Sequence, residues 1–294
     1  MQNSMLGSWV KHKYILKRRA PRTRTKQLSL HLVLLLVTAI SFFPFYWLLA
    51  MATNKTSDIF AYPPRLAFGS HLFENISNVL KSIDFFGAFA NTVFVAGVET
   101  MLVLFFCSLA GFTFAKFSFR GRKLLFVLLL GTMMIPSQLS AVPSFVLMAR
   151  LGWVGSFKAL IVPGMVSAFG VFWMRQYAES AVPGELVDAA RIDGCGHPRL
   201  YWHVALPILR PALAFLGIFT FIRVWNDYMW PLIILNDPAR YTLQVALSQL
   251  DNVYGSDYGM VMAGTLMATV PLLVVFLIGS RHFIANIAVG ALKE

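Results

Sequence analysis

The sequence predicts an all-α integral membrane protein with six transmembrane helices and both termini in the cytoplasm. Three observations carry this. The chain is 57% hydrophobic and only 13% charged, where a soluble domain carries about 25% charged residues. Six apolar segments meet or approach the roughly 20 residues needed to cross about 30 Å of hydrocarbon. The basic residues fall almost entirely on alternate sides of those segments.

Taken in order, residues 1–27 form a basic arm. Eight basic residues (Lys11, Lys13, Lys17, Arg18, Arg19, Arg22, Arg24 and Lys26) stand there without an acidic neighbour. A net charge of +12 would suit nucleic acid if it were spread over a surface. Concentrated at the foot of an apolar segment, it is better explained by membrane orientation and anionic lipid headgroups, so the bilayer is the expected partner and nucleic acid is not. Residues 28–294 then read as one transmembrane domain with spans at 28–52, 89–114, 124–148, 159–174, 206–235 and 261–284.

The first span ends in Ala50-Met51-Ala52, which resembles a cleavage site. Its apolar run is longer than that of a signal peptide, however, and it contains Pro44 and Phe45-Tyr46-Trp47. A retained span with Tyr46 and Trp47 at the outer interface is expected. The fourth span is the weakest, interrupted by Pro163 and Gly170. The fifth is overlong and holds Arg223 and Asp227, so part of it must face protein or water.

Orientation follows from charge. Eighteen of the 25 basic residues lie on the side of the N-terminal arm, six on the other, and Arg223 falls within a span. Basic residues are retained in the cytoplasm, which puts both termini and the polar stretch 183–207 there. Outside, residues 53–88 are expected to be ordered against the spans through Leu66, Phe68, Leu72, Phe73 and Phe85. Tyr241-Thr242-Leu243 is expected to be extended. Cys107 and Cys195 do not suggest a disulfide framework.

The stretch 183–207, PGELVDAARIDGCGHPRLYWHVALP, is too polar to cross a membrane and reads as two helical pieces. Pro183 suits a first turn, and Glu185 and Asp188 complement the positive end of the helix dipole. Leu186, Ala189, Ala190 and Ile192 give an apolar patch, and Asp188 and Arg191 stand three apart. Gly194 is placed to stop the helix, and His197-Pro198 restarts one that runs through Leu206 and Pro207 into the fifth span. Such a pair is a docking surface for a partner, unless it is only a surface loop.

Several chemistries are excluded. No G-x-x-x-x-G-K-[ST] phosphate loop occurs, so ATP hydrolysis is not expected on this chain. His197 and His203 are six apart and share no helix face, so no metal site is expected. No G-x-S-x-G elbow supports an enzyme. Inside the membrane, Arg223, Asn226, Asp227 and Trp230 form a polar and aromatic cluster, and Met134, Ser137 and Gln138 flank Pro136 in the third span. These seven residues are candidates for a solute path, because aromatic rings beside amides and charges suit a sugar. An Arg223–Asp227 pair (four apart) that merely locks helices is the alternative. Small residues, Gly164 with Ala168 and Gly259 with Ala263, are expected to allow close helix packing.

The 183–207 stretch resembles the cytoplasmic loop of permease subunits of binding-protein-dependent ABC importers. The family motif E-A-A, three residues, G, nine residues, I-x-L-P appears as Asp188-Ala189-Ala190, Gly194 and Val204-Ala205-Leu206-Pro207. Asp188 replaces the glutamate and Val204 the isoleucine. Asn91-Thr92, Asn226-Asp227-Tyr228, Trp230-Pro231, Tyr241-Thr242-Leu243 and Gly290-x-x-Lys293 look like the carbohydrate type, similar to the smaller permease subunit of the maltose-transporter class. The resemblance implies a type I importer permease fold in the cell (inner) membrane. It also implies a loop in which Glu185, Asp188, Ala189, Ala190, Arg191, Gly194, Leu206 and Pro207 couple to an ATPase. The implied partners are a second homologous permease, two ATPase subunits carrying ATP and Mg, and an extracytoplasmic solute-binding protein; no cofactor is implied on this chain. The solute is expected to be a sugar, an oligosaccharide or a glycerol-phosphate-like molecule. An importer for another solute class is the near alternative. An ion-coupled secondary transporter would need carboxylates in its spans, for which Asp227 is the candidate.

Overall fold

The computed structural model describes residues 24–63, 65–251 and 257–291. The basic arm before residue 24 and Lys293 lie outside the described residues, as do the side chains of Ser137 and Arg281. Every regular element among the described residues is helical. In order these are α1 (Arg24–Ala52), α2 (Thr56–Ile59), α3 (Leu72–Ser82), α4 (Phe85–Lys116), α5 (Arg122–Thr132), α6 (Ala141–Arg150) and α7 (Lys158–Gly164). They continue with α8 (Ala168–Ala181), α9 (Gly184–Ile192), α10 (His197–Arg199), α11 (Leu206–Trp225), α12 (Met229–Ile234), α13 (Leu243–Ser248) and α14 (Tyr258–Ala291). Among the described residues, those up to Trp47 form one compact unit and those from Leu48 a second.

Five described helical runs are long and apolar enough to cross a membrane: Gln27–Ala52, Phe85–Lys116, Lys158–Ala181, His197–Trp225 and Tyr258–Gly279. The single helix expected at 124–148 is not one of them. Pro136 supplies no N–H, and it disfavours helical backbone at Ile135, so α5 stops at Thr132 and α6 begins at Ala141, with a 3₁₀ turn over Ser137–Ser140 between them. The freed carbonyls of Gly131, Thr132 and Pro136 accept from Met134, Ile135 and Leu139 N–H groups at 3.1–3.3 Å. Local bonds of this kind occupy the backbone groups that the break frees.

The second unit is built on α4, which packs against α8 and α11. Asp84 caps α4 by accepting the Gly87 N–H at 3.0 Å. Gly111 lies against the backbone of α8 at Met174 and Arg175, and Gly170 lies against the Cys107 thiol. A side chain at either glycine would push the helices apart, so the close crossing depends on both. Around that crossing Val103, Cys107, Phe112, Val171, Met174, Leu209 and Leu216 are buried together. A second core joins Val79, Phe85, Trp225, Leu243 and Ala263, which ties α3 and α14 to the far end of α11. The expected close packing at Gly259 is present, against the Asn54 carbonyl and the Asn75 amide.

Residues 53–88 are ordered by a different means from the one expected. Leu72 and Phe85 pack inward, but Leu66, Phe68 and Phe73 are exposed. The anchors are amides. Asn75 Nδ2 donates to the Ala52 and Asn54 carbonyls at 2.9 and 3.0 Å, and Asn54 Nδ2 donates to Ala50 and Ala67 at 2.8 and 2.9 Å. Of these acceptors Ala52 O is a terminal carbonyl of α1 that has no intrahelical partner, and the others tie the following loop to it. On α3, His71 bonds the exposed Glu74 at 2.8 Å and holds its carboxyl below the ordinary value.

Candidate functional sites

The two clusters read from the sequence lie at opposite ends of α11. At its N-terminal end, Pro183 opens α9 and Gly194, at φ +77°, closes it. Gly194 N–H donates to Arg191 O at 3.0 Å and Cys195 N–H to Ala190 O at 2.9 Å. This pair of bonds around a left-handed glycine is the Schellman arrangement. After Gly196 a continuous helical run starts at His197 and enters α11. The second piece of the loop is therefore the root of the span itself.

Within that run Leu200–Ala205 is π-helical. Pro207 has no N–H to give to the preceding turn, and the turn widens there. Widening brings the Tyr201 ring into the core, where its hydroxyl bonds Ser108 Oγ on α4 at 2.7 Å. Leu200, Tyr201 and Ala205 share one buried cluster with Val187 and Ala190 of α9.

The expected apolar patch on α9 needs correction. Val187 and Ala190 face the bundle, whereas Leu186, Ala189 and Ile192 point out, Ile192 at 87% exposure. Helical periodicity puts 187 and 190 on one face and turns 189 and 192 away from it, while Leu186, four before Ala190, sits at its border. Glu185 and Asp188 are exposed, and the expected Asp188–Arg191 pair forms at 3.4 Å. Arg191 also stands 5.3 Å from the Phe117 ring centroid. Leu206 is half-buried and Pro207 exposed.

At the other end of α11 the expected Arg223–Asp227 pair does not form. The helix ends at Trp225, which turns Asp227 off the face that carries Arg223. Arg223 instead donates to Glu99 Oε1 on α4. Glu99 is a membrane carboxylate missing from the sequence-based candidates, although the same cost of burying charge that marked Arg223 applies to it. Its side chain is 5% exposed against 47% for Arg223. Gly164 is what admits it, because a Cβ there would meet its carboxylate. The close packing expected at Gly164 thus serves a buried charge.

Glu99, Asp227, Trp230, Thr92 and Thr242 line a small cavity of about 20 Å³, room for about one water. The Trp230 indole donates to Ala159 O at 3.0 Å. Asn226 is exposed, with its amide bonded to Ile222 O at 2.9 Å. Met134 and Gln138 lie exposed in the α5–α6 break, Met134 at 84%, and are not among the cavity's lining residues.

Two sequence pieces noted separately are bonded to each other. Asn91 Nδ2 donates to the Ala239 and Tyr241 carbonyls at 3.0 Å, and Thr92 Oγ1 accepts the Leu243 N–H at 2.7 Å. Tyr241 and Thr242 are extended, as expected, and Leu243 opens α13.

Residues 107–283 match the family model described as "Binding-protein-dependent transport system inner membrane component". The chain belongs to this family. Among curated relatives, it is 35% identical over 272 residues to the lactose transport system permease protein of Rhizobium radiobacter, covering 92% of this chain and 98% of the relative. It is 31% identical over 279 residues to the arabinooligosaccharides transport system permease protein of Bacillus subtilis (94% and 99%). It is also 31% identical over 265 residues to the sn-glycerol-3-phosphate transport system permease protein of Yersinia pestis (87% and 94%). In fold, it matches a chain of the crystal structure of a bacterial ABC transporter involved in the import of the acidic polysaccharide alginate. The TM-score is 0.78 at 23% identity, over 90% of this chain and 99% of that one. The protein is thus a permease subunit of a binding-protein-dependent ABC importer, an integral membrane component with several apolar helices.

Proposed function

We propose that the protein forms half of a sugar pathway through the cell membrane and takes its driving force from a separate ATPase through residues 183–207. The observation that carries this reading is the joint between α9 and α11. A capped helix is seated by Val187 and Ala190 on the same cluster that holds the root of α11. Its opposite face presents Glu185, Asp188, Ala189 and Ile192. A partner that pulls on α9 moves α11 with it, because packed elements shift as units rather than deform.

In this reading α5 and α6 together make the sixth crossing, and both termini are cytoplasmic. A homologous permease supplies the other half of the path, two ATPase subunits bind ATP and Mg, and a solute-binding protein docks outside. Sugar is favoured as cargo by relatives named for lactose and arabinooligosaccharide transport. Arg223 and Asn226, exposed at the outer end of α11, are the candidates that face the path, with Met134, Ser137 and Gln138 across the α5–α6 break. Asp227 and Trp230 brace it from behind.

The test is Gly194→Val in the assembled complex. Sugar uptake should be lost or the ATPase released while the variant still inserts in the membrane. Normal uptake with normal recovery of the ATPase would defeat the coupling role.

A further inference from the structure

A groove of about 560 Å³ lies between the C-terminal part of α4 and the root of α11. We propose that it holds an acyl chain of an anionic phospholipid, with the lipid phosphate on the arginines at its mouth. One wall is a single face of α4, where Phe105, Leu109, Phe112 and Thr113 stand at helical spacing. The other wall carries Tyr201 and Trp202, and the Trp202 ring stacks with Phe105, centroids 6.3 Å apart. The hydroxyls in these walls are bonded within the protein. Thr113 Oγ1 donates to Leu109 O at 2.8 Å, and the Tyr201 hydroxyl bonds Ser108 Oγ at 2.7 Å. The walls therefore meet a ligand mainly with carbon, which suits hydrocarbon and costs a polar solute its hydration.

The mouth has the opposite chemistry. Phe117, Phe119, His197 and Pro198 frame it. Arg191 stands 5.3 Å from the Phe117 ring centroid but is already paired with Asp188 at 3.4 Å. Arg120 and Arg199 directly follow Phe119 and Pro198 in the chain and are exposed. They are the cations offered to a phosphate. Dimensions agree with a lipid. From Phe105 to Lys116, α4 rises about 16 Å, about half of the roughly 30 Å of hydrocarbon in a bilayer. The groove thus runs through one leaflet, the one on the α9 side, which is cytoplasmic in the orientation proposed above. The opposite orientation would move the site to the other leaflet without removing it. A zwitterionic lipid fits the same walls but brings its own ammonium group to the mouth. Each protein cation beside an anionic headgroup gives about a fivefold preference.

The test uses the complete complex in nanodiscs of phosphatidylcholine, into which phosphatidylglycerol or phosphatidylcholine with brominated acyl chains is titrated. Bromine quenches nearby indoles. Trp202 is 52% exposed, so the part of the quenching that disappears in Trp202→Phe reports the groove. That part should reach half its maximum at about fivefold or more lower mole fraction of the phosphatidylglycerol. Arg120→Gln combined with Arg199→Gln should bring the two curves together. Thr113→Phe fills the groove without changing charge and should remove the Trp202 part; Leu109→Phe serves if that variant does not assemble. Coincident curves in the unaltered complex would overturn the anionic preference. Undiminished Trp202 quenching in the filled groove would show ordinary surrounding lipid and overturn the site. Quenching of Trp202 by neither lipid would mean that a protein partner occupies the groove, and would overturn the lipid as its occupant.

Discussion

The two ends of α11 are built on opposite principles. At the N-terminal end, Leu200, Tyr201, Ala205 and Leu209 are buried among apolar side chains of α4, α8 and α9, and the buried Tyr201–Ser108 hydrogen bond fixes their register. At the C-terminal end the helix stops at Trp225, amid a charged pair, a water-sized cavity and an open groove. The apolar end has one way to pack and suits the transmission of movement. The polar end keeps hydrogen-bonding capacity that a passing solute can use. In the proposed function the same helix would serve as lever at one end and path wall at the other.

The largest effect expected from testing this contrast comes from the charged pair. Arg223→Leu leaves Glu99 buried without its cation, and breaking a buried pair costs about 3 kcal/mol or somewhat more. Because half of the Arg223 side chain is exposed, the lower end of that range is expected. The thermal unfolding midpoint of the detergent-solubilised chain should fall clearly, and Glu99→Gln in the same chain should restore part of it. An unchanged midpoint in Arg223→Leu would show that the pair is not a structural brace.

Gly194→Val comes next. Its φ of +77° costs a β-branched residue about 1–3 kcal/mol, and space is not the cause, because nothing lies near a Cβ built there. Gly194→Ala should therefore cost less than Gly194→Val, and Gly194→Asn less again. Equal losses for all three would locate the defect in partner contact rather than in the backbone.

The two ends also differ in how far the sequence reveals them. The ends of the helix in the 183–207 stretch were legible because local rules govern them, a proline start, a glycine stop and an ion pair three apart, whereas its buried face, Val187 with Ala190, was not. Spans one, two and six were legible from apolar length. The break at 133–140 was not, since Met133, Met134, Ile135 and Leu139 keep hydropathy high across it, even though Pro136 marked a distortion. Glu99 was marked by its cost in hydrocarbon, but its partner lies 124 residues away, and Asp227 offered a nearer candidate by helix spacing. The anchoring of residues 53–88 escaped for a related reason. Nothing in the sequence sets Asn54 and Asn75 apart, and only the folded chain shows that they bond carbonyls around the end of α1.

A smaller effect probes the apolar end. Tyr201→Phe removes one buried hydrogen bond, worth about 1 kcal/mol, and leaves the ring in place. Ser108→Ala removes the other partner. If the bond sets the register of α4 against α11, the double variant should lose less than the sum of the two single losses. A strictly additive cycle in unfolding midpoint would mean that apolar packing alone holds the joint.

The smallest expected change in stability is at Asp188. Its pair with Arg191 is exposed, 70% for the aspartate and 46% for the arginine, and such pairs contribute about 0–1 kcal/mol. Asp188→Ala should leave the unfolding midpoint nearly unchanged, since alanine is the better helix former. Association with the ATPase subunits is another matter, because a carboxylate on the outer face of α9 is placed to make charge-assisted bonds in a partner's cleft. Co-purification of the ATPase and sugar uptake should both fall in Asp188→Ala and recover in Asp188→Glu. A variant as stable as the parent yet unable to hold its ATPase would separate the two roles of α9, an inner face for seating and an outer face for docking. Loss of stability with docking intact would assign Asp188 to the helix instead.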